Sequence, residues 1–170
     1  VLTFKELWES HPTITGEDNP CATNGQVNFS DQCAIRIGVA LNACGVDTSS
    51  IPGVRYCWHH KKSAGHILAA EELAVALTRY RISGLGPVQK IDPSKFKDEL
   101  ISQRGIIFFK DYWLRQGESF ANRSGDHIDL WNGTRLTDWF SWARIQAGFS
   151  WQGTFSDFED SKQVWFWKVL

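Results

Sequence analysis

The chain has 170 residues, 42% hydrophobic and 22% charged, enough for one domain that buries its own core without help from metal or oligomer. Its 18 basic and 19 acidic residues nearly cancel, and no Lys/Arg-rich block stands out, which argues against nucleic acid as a partner. No apolar run approaches the roughly 18 residues needed to span a membrane.

In chain order, Val1 to Trp8 reads as the amphipathic start of a helix over 3–10, rather than as a signal peptide, ended by His11-Pro12. Methionine is absent even at position 1, so the start is expected to have been processed. A polar loop follows through Asn28. Ser30 or Asp31 then caps a helix over about 32–44, with Cys33, Ile37, Ala40, Leu41 and Cys44 on one face and Gly45 as its stop. A third helix is expected from about Ala64 to Tyr80, capped by Ser63, and Asp92-Pro93 opens a fourth.

After Gly105 the hydrophobic period changes. Ile106 to Phe109, His127 to Trp131 and Val164 to Val169 read as strands. Helices first and strands later predict an α+β fold, with N-terminal helices packed on an antiparallel sheet and a single domain over 1–170. The helix that starts near Cys33 must then pack on the sheet that carries His127.

Four cysteines occur, at 21, 33, 44 and 57. A thiol at a helix N-terminus feels the positive end of the helix dipole, which favours thiolate. Cys33 has that setting. Cys44 lies at the opposite end of the same helix, and Cys21 and Cys57 lie in loop-like sequence, so a nucleophile among the four would be Cys33. The competing reading is a small buried hydrophobe. Closing the Gly45–Gly53 loop makes Cys44–Cys57 the most economical disulfide, with Cys21 to Cys57 or Cys44 as the runner-up. Three sequons, at Asn28, Asn122 and Asn132, fit a secreted chain; a bacterial chain with reduced cysteines fits as well.

Of the five histidines, His127 alone lies in an alternating strand with carboxylates on both sides. Asp129, two residues on, shares its sheet face, whereas Asp126 points away. Asp138 could approach from the next strand or turn. Cys57-x-His59-His60 resembles a metal fragment, but it lacks the paired spacing of a zinc site, so no metal and no cofactor are expected. The 14% aromatic content, including Asp111-Tyr112-Trp113 and Trp139, is read mainly as core, with sugar stacking as the rival.

Five segments carry a family likeness: Phe4-x-x-Leu7-Trp8, Gln32-Cys33-Ala34-Ile35-Arg36 with Ala40-Leu41, His66 to Leu77, Gly105 to Phe109, and Ser124-Gly125-Asp126-His127-Ile128-Asp129-Leu130-Trp131-Asn132-Gly133. They recur in the order of the fourth family of type VI secretion amidase effectors, which the chain resembles. Those are papain-like peptidases related to the NlpC-type cell-wall hydrolases. The resemblance implies a secreted antibacterial endopeptidase that cuts peptidoglycan stem peptides between γ-D-glutamate and meso-diaminopimelate, in the target periplasm or outside the cell. It also implies an immunity protein that blocks the groove. It maps the catalytic cysteine to Cys33, the histidine to His127 and the acidic member to Asp138, with Asp129 in reserve.

On this reading the Cys33 N–H and Gln32 face the oxyanion, and Arg36, Arg123 and Trp139 are candidates for substrate contact. A cysteine acyltransferase or transglutaminase-type enzyme would use the same triad. A non-catalytic wall-binding protein would keep the aromatics without a reactive thiol.

Overall fold

The computed structural model describes residues 1–113, 125–138 and 161–170. Helix α1 (Phe4–Ser10) starts where the Thr3 hydroxyl accepts the Glu6 N–H, the usual service of a threonine N-cap. Pro12 at the first helical position lets a further turn, α2 (Pro12–Thr15), begin at once. His11 ends α1 and caps α2, its Nδ1 accepting the Thr13 N–H at 3.2 Å. The polar loop contains a small hairpin, β1 (Ala22–Thr23) and β2 (Gln26–Val27). Asn24 and Gly25 turn it with φ of 52° and 77°, as a tight hairpin requires.

Helix α3 (Cys33–Ala43) begins one residue later than expected. Gln32 occupies the cap position, and neither Ser30 nor Asp31 caps it in the usual sense; Asp31 Oδ1 instead accepts the N–H of Cys33 itself, at 3.1 Å. Gly45, at φ 85°, follows its end.

The third helix departs from expectation. Residues 62–64 form a single 3₁₀ turn, and α4 (Ala70–Leu77) starts six residues after Ala64, with Ala69 rather than Ser63 as its cap. Gly65 at φ 77° breaks the helical path. Beyond it Ile67 pairs with Tyr56 in an isolated bridge, and backbone bonds join Cys57 N–H to His66 O and Leu68 N–H to Arg55 O at 2.9 Å each. Those bonds take up the backbone groups that a longer helix would have used. The segment crosses α3 very closely: a Cβ at Gly38 would stand 2.0 Å from the Gly65 carbonyl oxygen.

Strand β3 (Leu85–Ile91) falls in the stretch between Tyr80 and Asp92 to which the sequence assigns no element. Gly86-Pro87 disguises it, and the structure accommodates that pair at a register irregularity of an outer strand, where proline is tolerated. Asp92 caps a 3₁₀ turn (93–95) that runs into α5 (Phe96–Glu99). Then come β4 (Gly105–Trp113), β5 (Gly125–Trp131) and β6 (Gln163–Val169). The sheet is antiparallel in the order β3-β6-β4-β5, so the fold is α+β.

Alternation divides the core in two. Ile106, Phe108, Ile128, Leu130 and Trp167 pack with Leu7, Ile37, Leu41 and Leu73 from the helices. Ile107, Phe109, Trp131 and Phe166 pack on the other face with Phe96, Leu100 and Leu136. Burial of each large side chain contributes about 1.5–3 kcal/mol.

Two outcomes follow from this packing. Gly38→Ala should lower stability by roughly 1–3 kcal/mol, because the opposing atom is a backbone carbonyl that cannot swing aside. A urea midpoint equal to wild type would contradict it. His11, 2% exposed, has its pKa lowered to about 4 by burial, which outweighs the raising effect of Asp129. The unfolded chain therefore binds a proton near 6.5 that the folded chain takes only near 4. This contribution is complete above 6.5 and is lost on acidification toward 4, by up to about 3 kcal/mol. Urea titrations across that interval should show wild type losing more stability than His11→Gln.

Candidate active site

Cys33 is the first residue of α3 and is 5% exposed, facing the middle of β5. Burial raises its thiol pKa, as does the Asp31 carboxylate; a hydrogen bond with the His127 side chain and the Ile128 N–H directed at the sulfur work the other way. The net direction is upward. Proximity to a helix N-terminus alone therefore does not create a standing thiolate here.

His127 stands opposite Phe109 in the β4–β5 register, and the two rings stack at 6.4 Å with 20° between their planes. Its Nε2 lies 3.5 Å from Asp129 Oδ2. Burial would lower the imidazole pKa, but the Asp129 carboxylate and the contact with Cys33 raise it further than burial lowers it. The Asp129 carboxyl is likewise opposed by burial, yet His127, His11 and the Thr137 hydroxyl hold it below the ordinary range. Asp129 Oδ1 accepts from the Thr137 hydroxyl and from the Leu130 N–H, the latter at 2.7 Å, and lies 3.7 Å from His11 Nε2. Because His11 Nδ1 accepts from Thr13, its proton resides on Nε2, toward that carboxylate.

The structure thus brings Cys33, His127 and Asp129 into one chain of contacts. Asp138, half-buried, follows Thr137 directly in sequence, one residue beyond the hydroxyl that bonds Asp129. His11 and Thr137 were not foreseen as parts of this site. A histidine beside proline at a helix end carries no sequence signal that it will reach a carboxylate more than a hundred residues away.

The neighbouring candidates have defined places. Gln32 is 1% exposed, and its amide nitrogen donates to the Cys21 and Phe29 carbonyls at 2.9 and 3.1 Å. Its oxygen accepts the Cys21 N–H at 2.9 Å, so the side chain is fully engaged away from an oxyanion. Arg36 donates through Nε to the Asp18 carbonyl and is near enough to His11 to disfavour its protonation. Trp139 and Arg123 lie outside the described residues, as do the side chains of Asp111, Tyr112 and Trp113.

All four cysteines are free thiols. The economical Cys44–Cys57 bridge is absent: Cys44 Sγ contacts the Ser10 hydroxyl at 3.9 Å, and Cys57 faces histidines. Closing a short loop was the wrong criterion, because α3 and the 55–68 bridge direct the two thiols to different neighbours. Cys21, Cys57, His60 and His66 place one ligand atom each within 4.8 Å of the others.

The sequence model of the family described as type VI secretion system (T6SS), amidase effector protein 4, matches residues 29–167. No curated protein matches the chain significantly. Among solved structures, that of the type VI effector Tae4 from Enterobacter cloacae has a TM-score of 0.62 at 17% identity, over 99% of this chain and 96% of the other. The type VI effector–immunity complex Tae4–Tai4 from Enterobacter cloacae gives a TM-score of 0.58 at 18% identity, over 98% and 95%. These two likenesses concern the fold, which is the papain-like, NlpC-type arrangement expected from the resemblance. The matched family span runs through the helix that begins at Cys33, strand β5 and nearly all of β6, and the chain belongs to the type VI secretion amidase effector protein 4 family.

Proposed function

We propose that this member of an amidase effector family hydrolyses the γ-D-glutamyl–meso-diaminopimelate bond of peptidoglycan stem peptides, with Cys33 as nucleophile and His127 as its proton partner. The observation that carries the reading is the buried contact between Cys33 at the start of α3 and His127 on β5, with the Asp129 carboxylate at 3.5 Å from the imidazole.

The thiol proton passes to His127, and the thiolate attacks the amide carbonyl. The C–N bond then breaks while His127 returns that proton to the leaving amine. Water, deprotonated by the same imidazole, hydrolyses the thioester and regenerates the thiol. Asp129, 3.5 Å from the imidazole, and Asp138, the acidic member that the family resemblance maps, are the two candidates to orient the imidazole and stabilise its charged form. Of the two oxyanion donors considered, the Cys33 N–H is the one we retain. Asp31 holds it at rest, so substrate must displace that carboxylate.

The work takes place in the periplasm of a target cell, with Arg36 placed to meet a substrate carboxylate if it leaves Asp18. By analogy with the Tae4–Tai4 complex, a cognate immunity protein covers the groove.

Cys33→Ala should cut release of new amino groups from Gram-negative sacculi by at least about 10³-fold, with an unchanged circular dichroism spectrum. Undiminished release would end the assignment. Asp129→Asn should lower kcat/KM by roughly 10²–10⁴-fold. It removes a group that raises the His127 pKa, so the alkaline limb of the pH profile should move to lower pH. If Asp138→Asn moves that limb and Asp129→Asn does not, the orienting role passes to Asp138.

A further inference from the structure

Two cysteines and two histidines converge on the side of α3 away from the chemistry just described. Cys21 precedes the β1–β2 hairpin, Cys57 and His66 flank the Tyr56–Ile67 bridge, and His60 lies in the loop between them. Cys21, Cys57 and His66 are 0%, 5% and 7% exposed. His60 Nδ1 is 3.8 Å from Cys21 Sγ and 3.4 Å from Cys57 Sγ, and His66 Nδ1 is 3.6 Å from Cys57 Sγ.

We infer that Cys21, Cys57, His60 and His66 form a closed tetrahedral Zn²⁺ site that is structural rather than catalytic. Zinc–sulfur bonds of about 2.3 Å and zinc–nitrogen bonds of about 2.0–2.1 Å set the S···N edges of such a tetrahedron at about 3.6 Å. The S···N separations of 3.4, 3.6 and 3.8 Å bracket that value. Sulfur and imidazole ligands in this ratio suit Zn²⁺ and not the oxygen-seeking cations. Two thiolates balance the dication, so the filled site is neutral overall, as a buried site requires.

An outer shell is present as well. Asn28 Nδ2 donates to Cys21 Sγ at 3.6 Å, and the Gln32 amide holds the Cys21 backbone at both its N–H and its carbonyl. Four protein ligands leave no open position for substrate. The ion's role is to tie the 21–28 loop and the 57–66 loop to the residue immediately before Cys33.

The rival state is a Cys21–Cys57 disulfide, which would consume both thiols. Full-length protein purified under reduction should carry about one zinc per chain by elemental mass spectrometry. Cys33→Ala should keep the metal, whereas Cys21→Ser and His66→Gln should lose it. Cobalt substitution of the wild type avoids any folding defect of those variants. It should give a thiolate-to-cobalt charge-transfer band and the intense visible bands of tetrahedral S₂N₂ coordination. Several results would overturn the proposal: wild-type protein that takes up neither zinc nor cobalt, octahedral cobalt spectra, zinc lost with Cys33→Ala, or a peptide map with Cys21 bridged to Cys57.

Discussion

Among the described residues strand β5 is the last of the sheet, bridged beyond only where Trp131 meets Leu136, and a strand so placed presents backbone groups that need partners. The first turn of α3 supplies one: the Ile128 N–H is directed at the Cys33 sulfur. That contact fixes the helix against the strand at the point where the strand also presents His127. Alternation does the rest, sending Ile128 and Leu130 into the core with the helices and His127 and Asp129 to the opposite side, beside Phe109. A slip of one residue would exchange these sets, burying an imidazole and a carboxylate among aliphatic groups. The two core clusters therefore hold the register of the candidate site as well as the fold.

The electrostatics of the site are a contest between burial and partners. Burial opposes charge at Cys33, His127, Asp129 and His11 alike. Asp129 stays ionised because three groups face it, and its charge makes His127 the stronger base that can take the Cys33 proton. His11, with burial as its strongest influence, stays neutral and offers its Nε2–H to the same carboxylate. A neutral donor there can steady Asp129 without competing for its charge, so the stronger pairing remains with His127. Asp31 sets a counterweight by raising the thiol pKa from the open side while its oxygen covers the Cys33 N–H. Substrate that displaces Asp31 would free the oxyanion donor and remove the nearby negative charge in one movement.

The parts of this arrangement differ in how legible they are from sequence. Helix α3, strands β4 to β6 and the pairing of Cys33 with His127 follow from hydrophobic period and from local context, both of which lie within a short window. Strand β3 does not, because Gly86-Pro87 reads as a break until an outer position in the sheet allows it. The start of α4 fails for a similar reason: Ile67 and Leu68 continue a helical stripe, but the close crossing at Gly38 and Gly65 turns them into extended backbone. Choosing between Asp129 and Asp138 needs the direction of two side chains around one imidazole, and neighbours in sequence cannot supply it. The Cys21 cluster is the most hidden, since one ligand stands far upstream of the other three and their spacing matches no paired motif.

Gln32 links the two halves of the molecule's chemistry. As the residue before Cys33 it invites an oxyanion role, yet its amide closes three hydrogen bonds around Cys21 and Phe29. A buried amide with both ends satisfied is a rigid strut rather than an adaptable donor. It holds the start of α3 from one side while β5 holds it from the other. Cys33 is thus positioned by two unrelated contacts, one to the strand that carries His127 and one to the loop that carries Cys21. Strain at Cys21 would therefore reach Cys33 through the single side chain of Gln32, which, on the roles proposed for both sites, couples the cluster of thiols and imidazoles to the nucleophile.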